Sequence, residues 1–258
     1  MLLRSAVFVS LITAASCAAV PIRKLTARPV NNTASLWPWV GDEHTTESYV
    51  ATTDDAWAMV ELDFPVTLFN KTSRVVYLNM NGILSLDEPN IDVPTLPEQP
   101  LPVDPARCNG KGCLPGTSVA LLWKDLAMRP KTDNSVYVLY DPGHEGLQMP
   151  HYHIGWYLCD KAVAYIGKSP CGKATRFFQA IIPKDIPGTL FLFHTFFEII
   201  DADQVTGVVG LQSYPDYLSV PIRDIYRSGR ACTQTTIDTV ARTVKDSTPN
   251  WCLGKDSS

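Results

Sequence analysis

The sequence predicts a mostly-β protein: an antiparallel, jelly-roll-like β-sandwich with an irregular N-terminal arm and a short C-terminal helix. Three observations carry that expectation. Apolar residues recur at every second position over successive runs, as in strands with one buried face. Two such runs within Val75 to Leu86 are joined by Asn81-Gly82, and both residues tolerate the positive φ of a type I′ hairpin turn. The breaker triplets Asp141-Pro142-Gly143 and Ile186-Pro187-Gly188 separate further runs. Strands with alternating faces need two packed sheets to bury their apolar sides.

Residues 1–18 read as a secretory signal peptide. Arg4 is the positive n-region, Ala6 to Ala15 the apolar stretch, and Ser16-Cys17-Ala18 the small-residue cleavage site. The apolar stretch is shorter than the about 20 residues of a membrane-spanning helix. A lipid anchor on Cys17 is the rival reading, and the single positive charge weighs against it. Residues 19–53 form a polar arm containing Pro21, Pro29 and Pro38, with Trp37 and Trp39 as an aromatic cluster, expected to lie over the domain.

The β domain is assigned to 54–226. From Trp57 to Phe69 the even positions Val60, Leu62, Phe64, Val66 and Leu68 are apolar, and Pro65 calls for an edge or a bulge. The hairpin follows. The insert 87–107 holds six prolines and is excluded from helix and central strand, so it is a crossing loop or a recognition surface. Further strands are expected at Ser118–Trp123, Ser135–Tyr140, His151–Leu158, Thr175–Ile182, Thr189–Ile200 and Thr206–Ser213. The run from Thr189 is apolar on both sides, which calls for a strand covered on both faces. In the extension 227–258, Ile237, Val240, Ala241 and Val244 recur at helical spacing and predict a helix from about Thr235 to Lys245.

Without the leader six cysteines remain, an even number that implies a disulfide framework in an exported chain. Sequential pairing gives Cys108–Cys113, Cys159–Cys171 and Cys232–Cys252, although other connectivities exist; no Cys-x-x-Cys pair suggests zinc. Asn31 and Asn70 head glycosylation triplets. The net charge is −4, and there is no basic run, which argues against nucleic acid and anionic membranes as partners. No second apolar segment reaches membrane-spanning length.

Several segments, in order, resemble extracellular nidogen-like (NIDO-type) β-sandwich modules over about residues 57–213. They are Asp63 to Phe69 (DFPVTLF), Val76 to Leu86 (VYLNMNGILSL), Val119 to Leu126 (VALLWKDL), Phe177 to Ile182 (FFQAII) and Val208 to Gln212 (VVGLQ). The proline-rich insert, the Cys159–Cys171 segment and the C-terminal extension depart from the pattern. The resemblance implies an extracellular adhesion- or matrix-type module, and it implies no catalytic residue set.

Candidate chemistry is sparse. Glu61 and Asp63 share a strand face about 6.5–7 Å apart, inside the roughly 5–9.5 Å range of paired glycosidase carboxylates, but alternating acids on a solvent face look the same. Glu198 stands beside Phe196 and Ile200, where burial would raise its pKa, and Lys124 or Asp125 would make it a structural pair instead. His151 and His153 have chelating i, i+2 spacing, with His144 nearby, and are expected on an exposed face opposite the apolar one. Asp201 and Asp203 are oxygen donors for Ca²⁺ in a segment that lacks an EF-hand pattern. Trp37, Trp39, Trp57, Tyr152 and Trp156 are candidates for sugar stacking, Trp156 being assigned to the core by its alternation. There is no Gly-x-Ser-x-Gly elbow and no phosphate-binding glycine loop. The expectation is a secreted, non-enzymatic binding module for an extracellular glycan or protein, with no cofactor. The alternative is a secreted carbohydrate-active hydrolase using paired carboxylates.

Overall fold

The computed structural model describes residues 23–26, 47–49, 57–89, 100–107, 114–124, 126–127, 135–143, 147–160, 176–196, 207–221 and 232–247. Fifteen strands are present among these residues: β1 (Arg23–Thr26), β2 (Glu47–Tyr49), β3 (Trp57–Leu68), β4 (Lys71–Asn79), β5 (Ile83–Ser85), β6 (Thr117–Trp123), β7 (Leu126–Ala127), β8 (Ser135–Asp141), β9 (His151–Asp160), β10 (Arg176–Pro183), β11 (Thr189–Phe196), β12 (Val208–Ser213), β13 (Asp216–Val220), β14 (Cys232–Asp238) and β15 (Thr243–Ser247). The only helical element among the described residues is a 3₁₀ turn at Pro105–Arg107. None of their helices is long and apolar enough to cross a membrane.

The strands form two sheets. One has the order β1-β3-β4-β5-β6-β12-β13, the other β15-β14-β11-β10-β9-β8-β2, with β7 paired to β9 off that path. All pairings are antiparallel except β1 with β3. The sequence segment read as an irregular arm therefore contributes edge strands, β1 to one sheet and β2 to the other.

The apolar faces of the two sheets share one core. Leu62, Phe64 and Leu78 from the first sheet meet Tyr152, Trp156 and Phe178 from the second, with Trp156 stacked on Phe178 at 5.6 Å between ring centres. β3 alternates as its period of two requires, with Leu62, Phe64, Val66 and Leu68 buried. Pro65 lies where the β3–β4 register shifts, between Glu61 and Val66. There the Arg74 guanidinium donates to the carbonyls of Leu62 (3.1 Å) and Asp63 (2.8 Å), so the interrupted ladder is satisfied by a side chain.

The hairpin departs from the expected type I′ turn. Asn79 pairs with Ile83, leaving three loop residues, and of these only Gly82 has positive φ, at 78°. The buried Asn79 carboxamide accepts from the Asn81 amide at 2.8 Å, and the Gly82 amide donates to the Asn79 carbonyl at 3.2 Å. That capping side chain favours a three-residue loop with one left-handed glycine.

The C-terminal helix is also corrected. Residues 232–247 form the β14–β15 hairpin, with Ile237 opposite Leu190 of β11 and Val244 of β15. The β-branched run Thr233, Thr235, Thr236, Ile237 suits a pleated surface, and Thr235 and Ile237 are fully buried. The Asp238 carboxylate accepts from the amides of Val240 (2.9 Å) and Ala241 (2.8 Å), which builds the turn, and Val240 is 70% exposed. Its fit to a helical stripe was coincidental.

The described end of the proline-rich insert covers the outer face of the first sheet. Val103 packs in a second cluster with Ile83, Leu114, Ala120 and Trp123. Gln212 of β12 holds it there, accepting from the Val103 amide (2.7 Å) and donating to the Val103 carbonyl (3.1 Å). That portion is a crossing loop pinned to the sheet.

Candidate functional site

The most chemically distinctive cluster lies where β8 ends and β9 begins. Antiparallel pairing sets Asp141, the last residue of β8, opposite His151, the first of β9. His153 follows two residues later on the same face, because side chains alternate along a strand. Tyr152 and Ile154 between and beyond them point into the shared core.

The expectation that this histidine face is exposed is overturned. His151 is 1%, His153 5% and Asp141 6% exposed. Leu139, Ile181 and Phe193 on the same face are buried as well, so this sheet is covered on both sides here. Alternation distinguishes the two faces of a strand, but it does not say which faces are wet.

The two rings meet edge to edge, with Nε2 of His151 2.9 Å from Nε2 of His153. Nδ1 of His151 is 2.8 Å from the Met149 carbonyl, which can only accept, so that nitrogen carries the proton. In neutral His151 the Nε2 atom is then a lone pair, and the Nε2–H of His153 donates to it. Asp141 Oδ2 is 3.8 Å from His151 Nε2, while Oδ1 accepts from the Gly143 amide at 2.8 Å. Gly143 has φ 105°, and a Cβ there would sit 3.1 Å from the Met149 backbone, so the glycine permits the close return of the loop. Burial, reinforced by His151, pushes His153 down to about 4, against the opposing pull of Asp141 and Gln179. Three donor atoms, one from each side chain, lie within 4.8 Å of one another. Two nitrogens and a carboxylate oxygen make a borderline donor set of the kind that suits divalent transition metals.

The other candidates are dispersed. Glu61 and Asp63 are exposed on the outward face of β3, with the buried Leu62 between them. The Asp63 amide donates to the Tyr152 hydroxyl at 2.7 Å, which ties that strand to the opposite sheet. Tyr152 and Trp156 are fully buried, which removes both from any sugar platform, and Trp57 packs beside the Val103 cluster. Asn70 is exposed at the tip of the β3–β4 hairpin. Glu198, Asp201, Asp203, Asp125, His144, Asn31, Trp37, Trp39, Cys108, Cys113, Cys171 and Cys252 lie outside the described residues, as do the side chains of Cys159 and Cys232.

Sequence reasoning found both histidines and missed Asp141. The signal was present: Asp141-Pro142-Gly143 was recognised as a turn between strands, and pairing the flanking strands across it sets the aspartate against His151.

Comparison of the chain with protein-family models, with curated proteins and with solved structures finds no match.

Proposed function

We propose that this protein is a secreted, non-enzymatic binding module of the adhesion or matrix type, built on a jelly-roll-like β-sandwich and directed at an extracellular glycan or protein. The observation that carries the reading is the placement of its resembling segments. Four of the five segments, DFPVTLF, VYLNMNGILSL, VALLWKDL and VVGLQ, fall largely on β3, β4–β5, β6 and β12, which are consecutive neighbours in one sheet, while FFQAII falls on β10 of the other sheet. These four segments, spread over 150 residues of chain, are contiguous in space, and that contiguity supports reading them as one module. The exposure of Asn70 at a hairpin tip suits glycosylation of a secreted surface.

Glu61 and Asp63 support no hydrolytic pair beyond their shared exposed face. The test is an array of glycans and extracellular proteins probed with the secreted full chain, alongside a polysaccharide and ester hydrolysis panel. Saturable capture of a ligand without turnover is expected. Hydrolysis that is lost on Glu61→Gln or Asp63→Asn would establish the hydrolase reading instead.

A further inference from the structure

We propose that Asp141, His151 and His153 together bind one divalent transition-metal ion of the zinc class, which fastens the β8–β9 connection. Three independent features of the cluster support this.

The donors converge and are already supported from behind. His151 spends Nδ1–H on the Met149 carbonyl, which aims its Nε2 lone pair at the cluster, and this is the second-shell arrangement metal-ligating histidines use. Asp141 spends Oδ1 on the Gly143 amide and turns Oδ2 toward His151. The His151 bond to Met149 is kept when a metal enters.

The present arrangement leaves one buried nitrogen free to take up the proton that a metal would displace. Nδ1 of His153 has no hydrogen-bond partner while its Nε2–H is committed to His151. A metal on both Nε2 atoms shifts the His153 proton to Nδ1, so both rings coordinate as neutral imidazoles and no proton is released.

The distances are near what coordination needs. Bonds of about 2.0–2.1 Å hold tetrahedral ligands roughly 3.3 Å apart. The Nε2 atoms, 2.9 Å apart, must part by a few tenths of an ångström. The widest donor separation, at most 4.8 Å, must close by up to about 1.5 Å, within reach of a rotation of the Asp141 side chain. Burial of all three residues makes this a structural ion held in the hairpin, with any fourth position taken by water.

The experiment uses the secreted full chain, stripped with chelator and titrated with Zn²⁺ by calorimetry and with Co²⁺ by absorption. The expected result is one equivalent bound, a rise in Tm with metal, and weak Co²⁺ d–d bands without a thiolate charge-transfer band. His153→Gln abolishes the equivalent. Asp141→Asn keeps the shape and the fold by circular dichroism, and weakens binding by about tenfold or more. Three results would overturn the proposal: no stoichiometric uptake by the wild type, equal uptake by wild type and folded Asp141→Asn, or a thiolate band placing the ion on cysteines. In each, the histidines are a hydrogen-bonded pair only.

Discussion

Nε2 of His194 in β11 donates to the carbonyl oxygen of Leu121 in β6 at 2.6 Å, joining the two sheets through their shared core. The ring stacks beside Phe178, with centres 6.3 Å apart, and His194 is 1% exposed. A polar bond in an apolar layer fixes how one sheet sits on the other, because a slip would strand a buried carbonyl.

His194→Ala should therefore destabilise the fold by about 2–4 kcal/mol, combining a cavity with an unpaired acceptor. His194→Phe restores volume but not the bond, and should recover only part of the loss. Urea unfolding monitored by tryptophan fluorescence measures both. A cost below about 0.5 kcal/mol for His194→Ala would remove the bond from the stability account.

Burial lowers His194 to about 4, against the opposing pulls of the Leu121 carbonyl and Asp246. The unfolded chain takes up a proton on this residue below about 6.5, while the folded chain does so only near 4. Stability should therefore fall as pH drops from about 6.5 to about 4, with His194 contributing up to about 1.4 kcal/mol per pH unit. His194→Phe should reduce that slope and leave the share contributed by the buried His153. An unchanged slope in the variant would assign the acid lability elsewhere.

Gln212 makes three buried hydrogen bonds, to the Val103 amide and carbonyl and to the Pro115 carbonyl (3.3 Å). Gln212→Leu keeps the bulk and strands all three partners, so a loss of about 2–3 kcal/mol is expected. Limited proteolysis should then cut within 87–107 well before global unfolding. Protection equal to wild type would show that the apolar contacts of Val103 alone hold the loop.

At Gly82, φ is 78° and an added Cβ would lie 2.4 Å from the Leu122 carbonyl oxygen. Gly82→Ala should cost more than about 2 kcal/mol in thermal unfolding, the sum of a left-handed penalty and a backbone displacement. A near-neutral Tm would mean that the loop re-forms with different pairing.

The corrected C-terminal segment makes opposite claims for two residues that a helical stripe would treat alike. Ile237→Ala should cost about 2–4 kcal/mol, because Ile237 is fully buried, whereas Val240→Lys should stay within about 0.5 kcal/mol. Equal costs at both positions, measured by chemical denaturation, would favour the helix.

Much of the fold was legible locally. The alternation over β3 and β9 located those strands close to their observed limits, since a strand writes its period of two directly into the sequence, and the apolar runs located β6 and the start of β11. β13 was missed because its residues are largely exposed or half-buried and carry no apolar period. β14 was misread because Val240 and Val244 happened to complete a 3.6-residue spacing with Ile237. A short window cannot tell a hairpin whose turn residue is apolar from an amphipathic helix.

The candidate site was legible in part for a related reason. The i, i+2 spacing of His151 and His153 is a local property, and it put both on one face before any pairing was known. Their burial and their meeting with Asp141 belong to the sheet: one depends on what covers the outer face, the other on the β8–β9 register. The sequence by itself determined a β protein, its main strands and the side of each strand on which a residue lies, because those follow from backbone geometry within a few residues. Only the tertiary structure decided which strands are neighbours, which faces are dry, and that an aspartate and two histidines converge in a buried place. Those are outcomes of long-range pairing and layer packing, which short-range periodicity does not encode.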